Sequence, residues 1–234
     1  MFYFDPTYIL LVLLPTLVLT GLTQAWVQGA YRKWGNIANS RRVTGYQTAQ
    51  TLMQSGSVMQ VGLDVGGEEL SDHYDPSKGV VRLSPRVASQ PSVAAMAIAA
   101  HEFGHVQQHQ QKSPLMAVRS ALIPSAKLGS GFGFMLIFAG LILNITGLAL
   151  VGLLLFAGTT LFTVATLPVE LDASRRGLKL LHETGLIATD QDSAGANAVL
   201  RAAAFTYVAA VASSLLTLLY YAMLVFGSSG RRRN

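Results

Sequence analysis

Charged residues are missing from long stretches of this chain and crowded into others, and that alternation divides it. Residues 8–27 carry no charge. Twenty helical residues rise about 30 Å, the thickness of a bilayer's hydrocarbon core. The stretch therefore predicts a first transmembrane helix, which Pro15 can kink without breaking. A cleaved signal peptide would need a basic start, and the only charged side chain in residues 1–7 is Asp5. Residues 28–130 are mixed and predict an extramembrane part. Tyr31-Arg32-Lys33-Trp34 reads as an interface anchor. Residues 40–55 read as an amphipathic helix stopped by Gly56. Strand-like runs follow at 58–65, 69–74 and 79–84. The turn chemistry of Asp75-Pro76-Ser77-Lys78-Gly79 joins the last two as a hairpin. Residues 91–111 predict a helix, with Ser89 and Pro91 at its start and Ser113-Pro114 beyond its end. Residues 115–128 predict a surface or interfacial helix broken at Pro124, and 129–133 a glycine-rich connector.

Residues 134–167 are again free of charge. As one helix they would be about 50 Å long, well beyond a bilayer core. Asn144-Ile145-Thr146-Gly147 divides them, so 131–167 is predicted to be a hairpin of two membrane helices, the first of them short. Pro168 either ends the second or starts a helix that continues from it. Residues 168–202 predict a helix that is polar on one face over 169–184, with Gly185 as its stop, and a connector. Residues 203–227 predict the last span. The expected fold is mainly α and integral to the membrane, with about four transmembrane helices and a small β-hairpin or sheet.

Composition supports this reading. Of 234 residues, 51% are hydrophobic and 12% charged, too apolar and too clustered for disorder. There is no cysteine, which excludes a Cys-ligated zinc site, a disulfide framework and a thiol nucleophile. The net charge of +5 is spread along the chain apart from Arg231-Arg232-Arg233. It points to a membrane surface and not to nucleic acid.

The chemistry lies in His101-Glu102-Phe103-Gly104-His105. On a helix, residues four apart share a face, so His101 and His105 can address one ion. Glu102 sits about 100° round from His101, beside the metal, where it can take a proton from a water the metal activates. Zinc is the expected ion, commonly held at catalytic sites by three protein ligands. Gly104 leaves room for a close neighbour or a substrate.

A third ligand is needed. One class of such enzymes places a histidine six residues after the second, but Gln111 stands there, and Gln108 stands where that class has glycine. His109 would stretch the site along one helix, a poor fit to a tetrahedron. The other, gluzincin-like class takes a glutamate from a later helix, and Glu170 fits, with Asp172 in reserve. Two predicted crossings separate His105 from Glu170, an even number that returns the chain to the same membrane surface. Glu170 and Asp172 could also be ordinary first-turn acids.

These residues resemble a known family. Leu70-Ser71-Asp72-His73-Tyr74-Asp75-Pro76, Val81-Arg82-Leu83-Ser84, Ser92-Val93-Ala94-Ala95, Ala100-His101-Glu102-Phe103-Gly104-His105, Leu167-Pro168-Val169-Glu170-Leu171-Asp172-Ala173-Ser174-Arg175 and Ala202-Ala203-Ala204-Phe205-Thr206-Tyr207 are similar to stretches of the bacterial neutral zinc metallopeptidases, the YugP-like membrane proteases. The resemblance implies a zinc-dependent membrane peptidase with His101, His105 and Glu170 as ligands and Glu102 as catalyst. His73, inside a family-typical stretch, either holds the hairpin or lines a substrate cleft. The heat-shock and CAAX-processing membrane proteases are more distantly similar. Where they carry an aspartate four residues after the glutamate this chain has Ser174, and their following arginine matches Arg175. That arginine could steady an oxyanion or orient Glu170, or lie on the helix surface.

The expected function is hydrolysis of peptide bonds in protein or peptide substrates, membrane proteins among them, with Glu102 as general base. The small sheet could offer an edge to an extended peptide or simply pack against the metal helix. Two other readings remain. Leu171-Asp172-Ala173 nearly matches the second motif of intramembrane site-two-type proteases, although the apolar run before His101 is too short to cross a bilayer. A non-enzymatic scaffold with a structural zinc would need a fourth protein ligand. Fourteen of the 17 basic residues fall in 28–130 and 168–201. The positive-inside rule makes that side, and the site, cytoplasmic. The arginine tail falls on the opposite side and argues against it.

Overall fold

Runs of Leu, Val, Ile and Phe long enough to cross a bilayer become helices longer than the runs themselves. The structure, a computed structural model, describes residues 5–230. Helix α1 (Pro6–Gly35) contains one π turn at Ile9–Leu13. A capping box between Thr44 and Gln47 opens α2 (Gly45–Gln54), and Gly56, at φ +74°, turns the chain away beyond it. Strands β1 (Gly62–Val65), β2 (His73–Asp75) and β3 (Val80–Leu83) follow, then a short α3 (Pro85–Ser89) and α4 (Val93–Gln110). The remainder is α5 (Pro114–Ile142), α6 (Thr146–Glu183) and α7 (Asp190–Gly230). Among the described residues, α1, α5, α6 and α7 are long and apolar enough to span a membrane.

Several sequence expectations are corrected. Residues 115–128 are not a separate interfacial helix. They form the first half of α5, which is interrupted by a turn at Leu122, close to the break expected at Pro124, and takes up 129–133 as a π turn. This removes the difficulty of a second span that looked too short. Pro168 lies inside α6, which neither ends nor begins there. The cap of α4 is Ser92, whose hydroxyl accepts from the Ala95 N–H at 3.1 Å, because Pro85–Ser89 forms its own turn of helix upstream. The strands are shorter than their apolar runs. The Arg231-Arg232-Arg233 tail lies outside the described residues.

The chain forms two compact units. Of the described residues, one takes in 5–23, 117–168 and 206–230. Val12, Ile137, Phe156, Tyr220 and Val225 are in its core, yet Leu10, Leu17, Leu154 and Phe226 on its outside are exposed. An exterior as apolar as the interior suits lipid and not water. Its helices approach at small residues: a Cβ on Gly140 would lie 2.3 Å from the Ala149 nitrogen.

The other unit comprises Gln24–Met116 and Val169–Phe205. Helix α4 runs through its middle, with Val93, Met96, Ala97, Phe103 and Val106 fully enclosed. Each of the larger side chains stabilises by about 1.5–3 kcal/mol. The sheet has the order β1-β3-β2, with β1 parallel and β2 antiparallel to β3. The expected hairpin is β2–β3. Tyr74 pairs with Val81 on the buried face, while His73 pairs with Arg82 on the exposed one. The Tyr74 hydroxyl and His109 Nδ1, 2.7 Å apart, fasten the sheet to α4.

Candidate metal centre

Two glycines set the geometry. A Cβ on Gly104 would lie 2.1 Å from the Ala173 carbonyl oxygen, and one on Gly177 would lie 2.7 Å from that of Ala100. Helices α4 and α6 therefore cross with their backbones in contact, and the room left by Gly104 is taken by a neighbouring helix. Residues just before Ala173 are thereby held over the histidine face of α4.

Glu170, buried, is the side chain that arrives there. His101 Nε2 lies 3.3 Å and His105 Nε2 3.5 Å from one carboxylate oxygen, Glu170 Oε2. The two rings stand edge to face at 83°, 4.9 Å between centroids. Zinc bonds of about 2.0–2.2 Å put neighbouring ligands of a tetrahedron about 3.3–3.6 Å apart. The donor set and its spacing thus fit a tetrahedral zinc ion with three protein ligands. No other cluster of this kind occurs among the described residues.

The surroundings are polarised to match. Burial alone would lower the His105 imidazole, but its hydrogen bond to Glu170 and the nearby carboxylates carry it above the ordinary range. Glu102 is buried beside the cluster, outside the three converging donors. Burial holds its carboxyl above the ordinary glutamate range, against the pull of both imidazoles.

Behind the donors, each histidine has a partner for its other nitrogen. His101 Nδ1 is 3.1 Å from Ser174 Oγ, and His105 Nδ1 is 3.0 Å from Gln108 Oε1. Gln108 Nε2 donates to the Val169 carbonyl and to Asp172 Oδ2, both at 2.8 Å. Arg176 Nε donates to the same Asp172 oxygen at 2.6 Å.

The other candidates are placed elsewhere. His109 is engaged by Tyr74, and Asp172 by Gln108 and Arg176. Arg175 is exposed, its Nε on the Leu171 carbonyl of its own helix; Arg176, one residue on, is the arginine that joins the polar network. His73 is exposed and bonded through Nδ1 to the Ser71 carbonyl. With Asp64, Asp75 and Arg82 it lines a shallow pocket of about 430 Å³ on the open face of the sheet. Sequence reasoning missed Gln108 and Arg176. A polar residue three positions after His105 was a signal, but by type alone it does not reveal whether it faces water or another helix.

A family described as "Putative neutral zinc metallopeptidase" matches residues 8–226. The chain is 35% identical over 208 residues to "Putative membrane protease YugP" of Bacillus subtilis (strain 168), covering 89% of this chain and 91% of that one. No solved structure matches. The match runs from the first span into the last and takes in both helices that carry His101, His105 and Glu170: the chain belongs to the neutral zinc metallopeptidase family.

Proposed function

We propose that this protein hydrolyses peptide bonds at a zinc ion held by His101, His105 and Glu170, with Glu102 as general base. The observation that carries the proposal is the convergence of both Nε2 atoms on one Glu170 oxygen at the edge length of a zinc tetrahedron. When bound there, zinc supplies a Lewis acid that polarises the scissile carbonyl and acidifies water. Glu102 accepts the proton of the attacking water and passes it to the departing amine. A carboxylate raised by burial is a stronger base than one in water, which suits it to that transfer.

Three donors, and not four, favour a catalytic over a structural zinc. The engagement of Asp172 by Gln108 and Arg176 weighs against the site-two-type arrangement, in which that aspartate would be a ligand. An extended peptide is the proposed substrate, added along β2, an edge strand, with His73 beside it. The proposal gives no catalytic role to Arg175. The basic residues of 28–130 and 168–201 favour a cytoplasmic site under the positive-inside rule.

The deciding experiment compares Glu102→Ala with the natural chain in detergent or nanodiscs. Zinc content should stay near one per chain while peptide cleavage falls by about 10²–10⁴-fold, the usual worth of a general base. Undiminished cleavage by the variant would remove the proposal.

A further inference from the structure

A histidine that binds a metal through Nε2 must carry its hydrogen on Nδ1 and point it at an acceptor. For His101 the partner is Ser174, whose hydroxyl can donate or accept and so leaves the tautomer open. For His105 the partner is Gln108, and there the choice is closed. One end of the Gln108 amide faces the Val169 carbonyl and the Asp172 carboxylate, each at 2.8 Å. Neither of those groups can donate, so the NH₂ must be at that end. The oxygen is then the end that faces His105 Nδ1 at 3.0 Å. An amide oxygen only accepts, so His105 must be the donor at Nδ1, and Nε2 is the nitrogen left to take a metal.

The two acceptors of Gln108 lie on α6, on either side of Glu170 in sequence, while Gln108 itself lies on α4. Its side chain is fully buried. Arg176 holds Asp172 in place and extends the network, its Nη1 on Gln107 Oε1 at 3.2 Å and Gln111 Oε1 at 2.6 Å. A carboxylate at position 108 could also accept from His105. It would then face a carbonyl and a second carboxylate with nothing to donate, a costly arrangement in a buried place. Glutamine alone carries an acceptor at one end and two donors at the other with this reach.

We infer that Gln108 is a positioning residue that locks the tautomer of His105 and ties the histidine-bearing helix to the Glu170-bearing helix through Val169 and Asp172. The inference rests on the reading of His101, His105 and Glu170 as a zinc site, and it concerns metal affinity directly, with activity following from it.

The test measures zinc dissociation constants by chelator competition on the full chain in detergent, and the melting temperature of each zinc-free form. Gln108→Met and Gln108→Glu should each weaken zinc binding about 10–100-fold, the range for outer partners of a metal ligand. Asp172→Asn should weaken it less in the natural background. In the Gln108→Glu background the same Asp172→Asn change should tighten binding, because it removes carboxylate repulsion and restores a donor. That reversal of sign is the expected signature, and it stands even if Gln108→Met does not fold. Unchanged zinc affinity in folded Gln108 variants, with only a lowered melting temperature, assigns a merely structural role and overturns the inference. Asp172→Asn weakening binding in both backgrounds overturns it too. Absence of zinc binding by the natural chain overturns the metal-site reading first, and this inference with it.

Discussion

The lipid-adapted unit and the metal-centre unit share α1, α6 and α7, yet each treats buried polar groups in its own way. In the first, hydroxyls mostly bond within their own helix: Thr163 donates to the Thr159 carbonyl and Thr166 to that of Phe162. Contacts between helices there come mainly from small residues, with a few hydrogen bonds that cross: Ser214 on Thr160 at 2.9 Å, Thr159 on the Ala126 carbonyl at 3.4 Å and Tyr220 on Asp5 Oδ2 at 2.6 Å. In the second, buried polar groups reach far along the sequence. Asp192 accepts from the backbone and hydroxyl of Ser40, and Gln108 reaches α6. Local satisfaction lets a helix slide or rotate against its neighbour at little cost. Long-range satisfaction fixes one register, and a metal site with tolerances of a few tenths of an ångström needs that fixed register.

The comparison can be broken in four ways, from the largest effect to the smallest. Glu170→Ala removes a proposed ligand and should weaken zinc binding by more than about 100-fold, beyond the range for outer partners; equilibrium dialysis measures it. Gly104→Ala places a Cβ 2.1 Å from the Ala173 oxygen and should destabilise the chain by about 1–3 kcal/mol, with loss of zinc affinity as α6 is pushed off. Gly147→Ala, which meets open space, is its control and should leave both unchanged. Zinc at about 100 times its Kd should stabilise the natural chain by about 2.7 kcal/mol in chemical unfolding, reversed by chelator, and Gly104→Ala should lose most of that gain. Ser214→Ala should cost only about 0.6 kcal/mol, typical of a hydrogen bond between membrane helices, and leave zinc affinity untouched. A large effect of Ser214→Ala on zinc binding would erase the distinction between the units.

How much of this was legible in the residues differs element by element. His101 and His105 were readable because both imidazoles sit four apart on one helix, and helical geometry alone puts them together. Glu170 was readable only with an argument about crossings, and it arrives as expected. In 114–142 the break expected at Pro124 is present as a turn at Leu122, but the glycines at 129–133 were read as a connector where the helix continues through them as a π turn. Gln108 was not read as part of the site because it sits in a run of glutamines whose partners the sequence does not name. Polarity in a sequence does not say whether the partner is water or another helix.

By itself, then, the order of residues determined the apolar spans, the pair of imidazoles on one face, the glutamate next to the first of them and the absence of thiol chemistry. All of these follow from periodicity and side-chain type, which are local. Only the tertiary structure decided which arginine joins the site, which side chains orient the histidines and what fills the space left by Gly104. Those outcomes depend on the contact of α4 with α6 at Gly104 and Gly177, and a helix does not carry in its own sequence the register at which another will meet it.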